Sequence, residues 1–488
     1  MTGVRITEVA IVGAGFGGLG AAIRLRQHGF HDFLIFDQAG DVGGTWRDNT
    51  YPGCACDVPS HLYSYSFARN PGWRDTFSGQ AEIWDYLRDC VARFDLAGRL
   101  RLDHAVREAG WDGDRQRWRL VTSHGEYEAR VLVSATGPLS APALPDLPGL
   151  DSFSGTVFHS ARWRHDHDLT GRRVAVVGTG ASAGQFVPEI APRVGRLVLF
   201  QRTPAWVMPR WSRRITPLEQ AVYRYLPGAQ RVARTAIYWA REVYGVGFLH
   251  PRLNRLAQRL SLRHLRRQVG DPALRAKLTP GYVMGCKRVL LSNDYWSALE
   301  RPNVDVVTDP IARVEPDAVV TAGGSRHPVD TIILGTGFHV TDPPVTHQVR
   351  GRDGVSLAQA WTPTMRAYLG TTVPGFPNLF LLLGPNTGLG HTSVVLMIEA
   401  QLRQLVKALR HLRRTGAATI EPTPAAQRRH TARVDAKLAG TVWTTGCASW
   451  YLDATGRNST LWPGYATGFR LRLARFRPAD YLVLPDAG

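Results

Sequence analysis

Two glycine-rich stretches have the residue types and spacing to bind phosphorylated dinucleotides. The first, Gly13-Ala14-Gly15-Phe16-Gly17-Gly18, follows an apolar run from Glu8 to Val12 and opens a helical pattern from Phe16 to His28. In such a turn the first glycine permits the bend. The second lets the backbone approach a pyrophosphate, and the third lets helix and strand pack closely. The diphosphate then rests on the helix N-terminus, where free N–H groups and the dipole favour an anion. Asp37 ends the next strand, Phe33 to Phe36, 19 residues after Gly18, and a carboxylate there accepts hydrogen bonds from ribose hydroxyls. The second stretch, Gly178-Thr179-Gly180-Ala181-Ser182-Ala183, lies between a strand, Arg173 to Val177, and a helix, Ala181 to Ala191, whose opening carries Gln185. The strand after it, Leu197 to Phe200, ends in Gln201-Arg202-Thr203 without an acid. An acid would repel a 2′-phosphate and an arginine binds one, so this site is expected to prefer NADPH over NADH. Lys287 is the candidate second phosphate contact.

Two different dinucleotide sites in one chain imply electron transfer between their ligands. The first suits FAD and the second a hydride donor, which makes the chain a flavoprotein oxidoreductase. A disulfide reductase would add a redox-active cysteine pair beside the flavin. Of the five cysteines, at 54, 56, 90, 286 and 447, Cys54 and Cys56 stand one residue apart, the spacing of neither a zinc knuckle nor a thioredoxin-like pair. All five are expected to be buried or loop thiols. No paired metal spacing occurs among the sixteen histidines, and no Ser-His-Asp arrangement is suggested.

A third motif narrows the class. Phe153-Ser154-Gly155-Thr156-Val157-Phe158-His159-Ser160-Ala161-Arg162-Trp163 reads F-x-G-x-x-x-H-x-x-x-W, just before the second glycine loop. Here the chain resembles the class B flavoprotein monooxygenases, specifically the type I Baeyer–Villiger monooxygenases. Related enzymes that oxygenate nitrogen or sulfur usually end this motif in another aromatic, so Trp163 favours the Baeyer–Villiger branch. Arg164 departs from the Pro or Asp that usually follows. From spacing alone, His159 and Trp163 also suit packing at a domain junction. The resemblance extends along nearly the whole chain. Gly43-Gly44-Thr45-Trp46, Tyr51-Pro52-Gly53, Cys56-Asp57 and Tyr63 are similar to the family's flavin-covering segment. Ala135-Thr136-Gly137 and Gly335-Thr336-Gly337 resemble its two strand-to-domain crossings, and Gly285-Cys286-Lys287-Arg288 the segment with its active-site arginine. Cys447-Ala448-Ser449-Trp450-Tyr451, Gly456-Arg457-Asn458 and Leu461-Trp462-Pro463-Gly464 resemble one subgroup.

The resemblance implies that NADPH reduces FAD, that the reduced flavin captures O₂ as a C4a-peroxide, and that this attacks a ketone to give an ester or lactone. Arg288 is then the candidate for stabilising the developing anion, since a guanidinium stays protonated at any working pH. Asp57 would pair with it. Turn, flavin-ribose or phosphate contacts are the alternative roles for these two residues. Gly44, Thr45, Trp46 and Tyr63 become candidate flavin contacts. His391, in the loop after Gly384-Pro385-Asn386, is a candidate for the pocket wall. Two other functions stay open: oxygenation of amine nitrogen or thioether sulfur, and FAD/NADP binding without turnover.

The elements that must position these residues form two βαβ openings about 165 residues apart. The expected fold is α/β, with two Rossmann-like dinucleotide-binding domains and an inserted helical subdomain. Residues 1–145 and 341–488 would build the FAD domain, the latter ending in a substrate loop. Residues 150–210 and 281–340 would build the NADP domain, around a helical insertion at 211–280. Trp111 to Val121 and Glu126 to Val133 are expected strands, and Trp443, Trp450 and Trp462 suit either a mobile aromatic loop or core. Hydrophobic residues make up 44% of 488, but no apolar run reaches the roughly 18 residues that a membrane span needs. Met1 to Val12 lacks the pattern of a secretion signal, so a cytoplasmic protein is expected. Of the net charge of +19, residues 211–280 supply +11, from 14 basic and 3 acidic side chains. Arg252, Arg255, Arg259, Arg263 and Arg266 share one helical face, with Leu253, Leu256 and Leu260 beside them. This is either a solvated face or a surface for weak peripheral contact with anionic lipid. Nucleic acid is not expected, because no nucleic-acid module accompanies the charge. The oligomeric state is not readable from the sequence.

Overall fold

A computed structural model describes residues 4–485, so Met1, Thr2 and Gly3 of the expected leaderless start lie outside the described residues. Two sheets carry the fold. In the larger, strand Arg5–Val12 runs parallel between Gly125–Ser134 and Phe33–Phe36. Its side chains alternate as a strand's must. Val9 and Ile11 enter one core cluster, with the helix Phe16–Gln27, and Ala10 enters another on the opposite face. The smaller sheet is wholly parallel, in the order Val304–Val307, Arg196–Phe200, Arg173–Val177, Thr331–Leu334 and Thr156–His159. The same alternation recurs there, with Val174 and Val176 on one face and Ala175 on the other.

Strands Leu379–Leu381 and Val349–Arg350 join the larger sheet, so the chain returns to its first unit after building the second. Between residues 211 and 280 the described elements are helical: Pro217–Tyr225, Ala229–Tyr244, Val246–Leu249, Asn254–Gln268 and Pro272–Leu278, with a short 3₁₀ turn at Pro251–Leu253. No described helix is long and apolar enough to cross a membrane.

Two expectations need correction. Trp111 to Val121 is not one strand but the tip of a hairpin between Val106–Asp112 and Arg117–Thr122, where Trp111 faces Trp118. Asp112 causes the reversal, its carboxylate accepting the backbone N–H groups of Asp114 and Arg115. Nor are all five cysteines thiols: Cys286 and Cys447 are bridged across 161 residues of sequence. Such a pairing depends on how distant segments meet, which spacing does not reveal.

Candidate functional site

The two glycine loops face one cavity of about 1530 Å³, larger than the ~1,000 Å³ upper range of single small-ligand pockets. The loops are built alike. Gly13 and Gly178 have φ of +106° and +108°, and a β-carbon on either would lie 2.5 Å from a carbonyl oxygen, of Ala135 and Gly335 respectively. Those carbonyls open the two crossing segments, so each loop is locked to the end of its own sheet. A β-carbon on Gly18 would lie 1.8 Å from the Gly13 oxygen. Only glycine fits there, whereas the second loop accommodates Ala183.

Both helices behind the loops begin without a side-chain cap and without an acid in the first turn. By contrast, helices Pro217–Tyr225, Pro272–Leu278 and Pro424–Leu438 are capped by Thr216, Asp271 and Thr423. Uncapped N–H groups aimed into a cavity suit a ligand phosphate, which is what a dinucleotide brings.

Around the first loop, Asp37 accepts the backbone N–H of Ala14 at 2.8 Å and of Ala39 at 3.0 Å. Arg47 also donates to it at 2.9 Å, a partner the sequence reading missed although it follows the noted Gly44-Thr45-Trp46. Gly44 has φ +53° and begins a single helical turn, Thr45–Asp48, beside Gly15. Trp46 donates through Nε1 to the Tyr63 hydroxyl at 3.1 Å, and the Phe16 ring meets Tyr63 edge-on. Gly15, Phe16, Asp37, Gly44, Trp46, Arg47 and Tyr63 line the cavity.

Around the second loop, Thr179 donates to the Thr203 carbonyl at 2.9 Å. Arg202 and Lys287 both line the cavity, and neither forms an ion pair among the described residues. Burial, then the nearby charge of Arg202, holds the Lys287 ammonium below its ordinary value. Two cations without a counterion suit a phosphate. Ser182 and Gln185 also line the cavity, but the Gln185 amide is engaged across the lobes: it accepts from Tyr51 at 3.0 Å and donates to the Ala55 carbonyl at 2.9 Å.

Arg288 and Asp57, 231 residues apart, form an ion pair through Nε at 3.0 Å and a closer Nη2 contact. Arg288 Nη1 donates to the Leu389 carbonyl at 3.3 Å. Asp57 raises the guanidinium's pKa further. Burial pushes the Asp57 carboxyl up, but Arg288 and then Arg241 outweigh it, and its pKa lies below the ordinary value. Arg241 comes from the helix Ala229–Tyr244 and donates to the Asp57 carbonyl at 2.9 Å. Nothing in its local sequence marked it. Tyr451 is fully buried near this pair, and burial pushes its phenol up to about 12.

His391 does not line the cavity. It is buried and meets Glu242 at 3.2 Å, on the far side of its loop. His159 and Trp163 are packing residues: Trp163 contacts Phe158 and Phe186, and His159 meets Phe338 edge-on. Arg164 pairs with Asp166 at the surface, so its departure from the motif touches no core. Trp443 and Trp462 are buried core, whereas Trp450 is partly exposed at the cavity. Burial pushes the Cys54 thiol up to about 12 and raises Cys56 as well, which keeps both from thiolate chemistry.

A family model described as flavin-binding monooxygenase-like matches residues 6–227. The chain is similar to a Baeyer–Villiger monooxygenase of Streptomyces coelicolor, 52% identical over 483 residues, covering 98% of this chain and 93% of that protein. A Baeyer–Villiger monooxygenase of Pseudomonas aeruginosa is 47% identical over 98% of this chain and 91% of its own length. Among solved structures, closed cyclohexanone monooxygenase superposes with a TM-score of 0.89 at 30% identity, over 99% of this chain and 100% of that one. OTEMO in complex with FAD and NADP superposes with a TM-score of 0.88 at 27% identity, again over 99% and 100%.

Proposed function

This chain belongs to the flavin-binding monooxygenase-like family as a Baeyer–Villiger monooxygenase, and on that premise we propose that Arg288, held by Asp57, is its catalytic cation. The enzyme uses FAD, NADPH and O₂ to convert a ketone into an ester or lactone. In this reading residues 1–145 and 341–488 carry FAD, residues 150–210 and 281–340 carry NADP, and residues 211–280 are inserted. Gly13, Gly15, Phe16, Gly18, Asp37, Gly44, Thr45, Trp46 and Tyr63 would hold the flavin nucleotide. Gly178, Thr179, Gly180, Ala181, Ser182, Gln185, Arg202, Thr203 and Lys287 would hold NADP.

Bound FAD would supply the O₂-activating redox chemistry, with NADPH as the electron source and O₂ as the source of the oxygen atom that enters the ketone. The chain's own task is to orient the reactants, exclude water and stabilise charge. The observation that carries the reading is the Arg288–Asp57 pair on the cavity wall. A guanidinium has five N–H donors, and the pair and Leu389 engage three of them. The Tyr451 hydroxyl also lies within hydrogen-bonding reach of the guanidinium, and the donor left over can serve negative charge that develops on the ketone oxygen. Asp57 fixes the plane of the guanidinium without neutralising the donors that face the cavity. Arg241 holds the Asp57 backbone in turn.

The test is Arg288→Ala in the FAD-loaded enzyme, with NADPH and a panel of cyclic and acyclic ketones. Removing one preorganised donor group typically costs about 10²–10³ in rate. Ester formation should fall by at least that much, while the flavin absorbance shows FAD still bound and NADPH oxidation continues with release of hydrogen peroxide. Ester formation at the parent rate would remove Arg288 from the chemistry.

A further inference from the structure

We propose that the helical insertion is a docking surface for an anionic phospholipid membrane. The inference stands apart from the ketone reading and rests on what three helices show to solvent. On Ala229–Tyr244 the buried face is Arg234, Tyr238 and Glu242. The opposite face presents Val232, Trp239 and Val243, which are 70%, 55% and 69% exposed, with the small Ala236 and Ala240 between them. On Asn254–Gln268 the inward residues are Asn254, Ser261 and Leu265. Its outer side, with the turn that leads into it, carries Leu253, Leu256 and Leu260 beside Arg252, Arg255, Arg259, Arg263 and Arg266. Pro217–Tyr225 exposes Leu218 and Tyr225, and Trp211 is exposed just before it.

A soluble monomer rarely shows so many large apolar side chains on one segment. The charge says what covers them. Residues 211–280 carry 14 basic and 3 acidic side chains, and of the acids Glu242 is buried. None of the five arginines forms an ion pair among the described residues. A second copy seated on this face would bring arginine against arginine. An anionic lipid surface instead satisfies both halves of the pattern: phosphates meet the guanidinium groups while leucine, valine and tryptophan side chains enter the acyl boundary. The helix Ala229–Tyr244 also reaches the site through Arg241 on another face, so docking would hold the site close to the bilayer.

The experiment is co-sedimentation of the FAD-loaded enzyme with phosphatidylglycerol-containing vesicles and with pure phosphatidylcholine vesicles, across a salt series. Binding should occur on the anionic vesicles at low salt and fade as salt rises. The variant R255E/R259E/R263E, with its flavin absorbance intact, should bind about a hundredfold more weakly. Trp239→Ser should weaken binding without removing its salt dependence. Ester formation by either variant in vesicle-free solution should match the parent, because none of these residues lines the cavity. Three outcomes would overturn the proposal: no binding at low salt, equal binding to neutral vesicles, or full binding by the triple variant. So would self-association in vesicle-free solution that Trp239→Ser abolishes, which would assign the face to a second copy of the chain.

Discussion

Arg202 and Lys287 reach the cavity from segments 85 residues apart, and they repel each other across it. Like charges held together without a carboxylate destabilise the protein unless an anion joins them. In the proposed reading a 2′-phosphate supplies that anion, and charge-assisted hydrogen bonds of this kind contribute roughly 1.5–3 kcal/mol each. Either Arg202→Ala or Lys287→Ala should therefore raise the KM for NADPH about ten- to a hundredfold, with little change for NADH. Steady-state kinetics with the two cofactors reads this directly. Equal losses with both would show that the two cations support the fold and not the phosphate. Asp37 presents the opposite charge at the matching strand end of the first unit, where it is occupied by Arg47 and two backbone N–H groups. The contrast between the two strand ends was legible in the sequence because a single residue type at a fixed offset decides it. Arg47 was not, because its role depends on the turn Thr45–Asp48 bringing its guanidinium back onto Asp37.

Among the elements, the helix Ala466–Leu473 shows a cap supplied from elsewhere in the chain. Its own N-cap residue, Tyr465, contributes no side-chain hydrogen bond. Glu242, from the helix Ala229–Tyr244, accepts instead from the backbone N–H of Ala466 at 3.1 Å and of Thr467 at 3.2 Å, and from the Thr467 hydroxyl at 2.9 Å. The same carboxylate meets His391, so one residue joins the helical insertion, the loop beyond Leu389 and the C-terminal helix. Burial pushes the Glu242 carboxyl up, but these hydrogen bonds outweigh it and hold the pKa below its ordinary value. Glu242→Ala leaves the buried Ala466 N–H and the half-buried Thr467 N–H without a partner and should lower stability by about 2–4 kcal/mol, against about 1 for Glu242→Gln, which keeps an acceptor. Urea unfolding followed by tryptophan fluorescence measures both, and equal losses would mean that a neutral acceptor at this position contributes nothing and that the carboxylate charge carries the cap. Helix Pro217–Tyr225 marks the boundary of what sequence reveals. Its capping box, Thr216 with Glu219, is written in four consecutive residues, whereas the partner of Ala466 lies 224 residues away. The two parallel units were legible for the same local reason, since strand, glycine turn and helix are contiguous. The Cys286–Cys447 bridge, the hairpin at Asp112 and the inward turn of Arg241 each needed the assembled tertiary structure.

For the whole molecule, several buried groups respond to acid with the same sign. Burial, then Arg234, lowers the His61 pKa to about 4. Burial, then the nearby Arg472, Arg433 and Arg457, lowers that of His430 to about 3. An unfolded histidine takes up a proton near its ordinary pKa of ~6.5, whereas these two stay neutral in the native state until far lower pH. Below about pH 6.5 the unfolded chain therefore binds more protons, and stability falls until the folded values are reached. Asp57 and Glu242, with lowered pKa values, push the same way, because their stabilisation is present above the ordinary carboxyl range and is lost as pH falls through the folded values. Added protons also enlarge a net charge that is already +19. Each histidine should account for roughly 2 kcal/mol of stability lost between pH 6.5 and 5. His430 stacks against Trp462 and meets Tyr368 edge-on, so a phenyl ring suits its site. His430→Phe should leave the urea midpoint near neutrality close to that of the parent and make it fall less steeply toward pH 5. Parallel curves for the two proteins would show that His430 takes up its proton in the native state near its ordinary pKa, and that its burial among three arginines is compensated by a group outside this cluster.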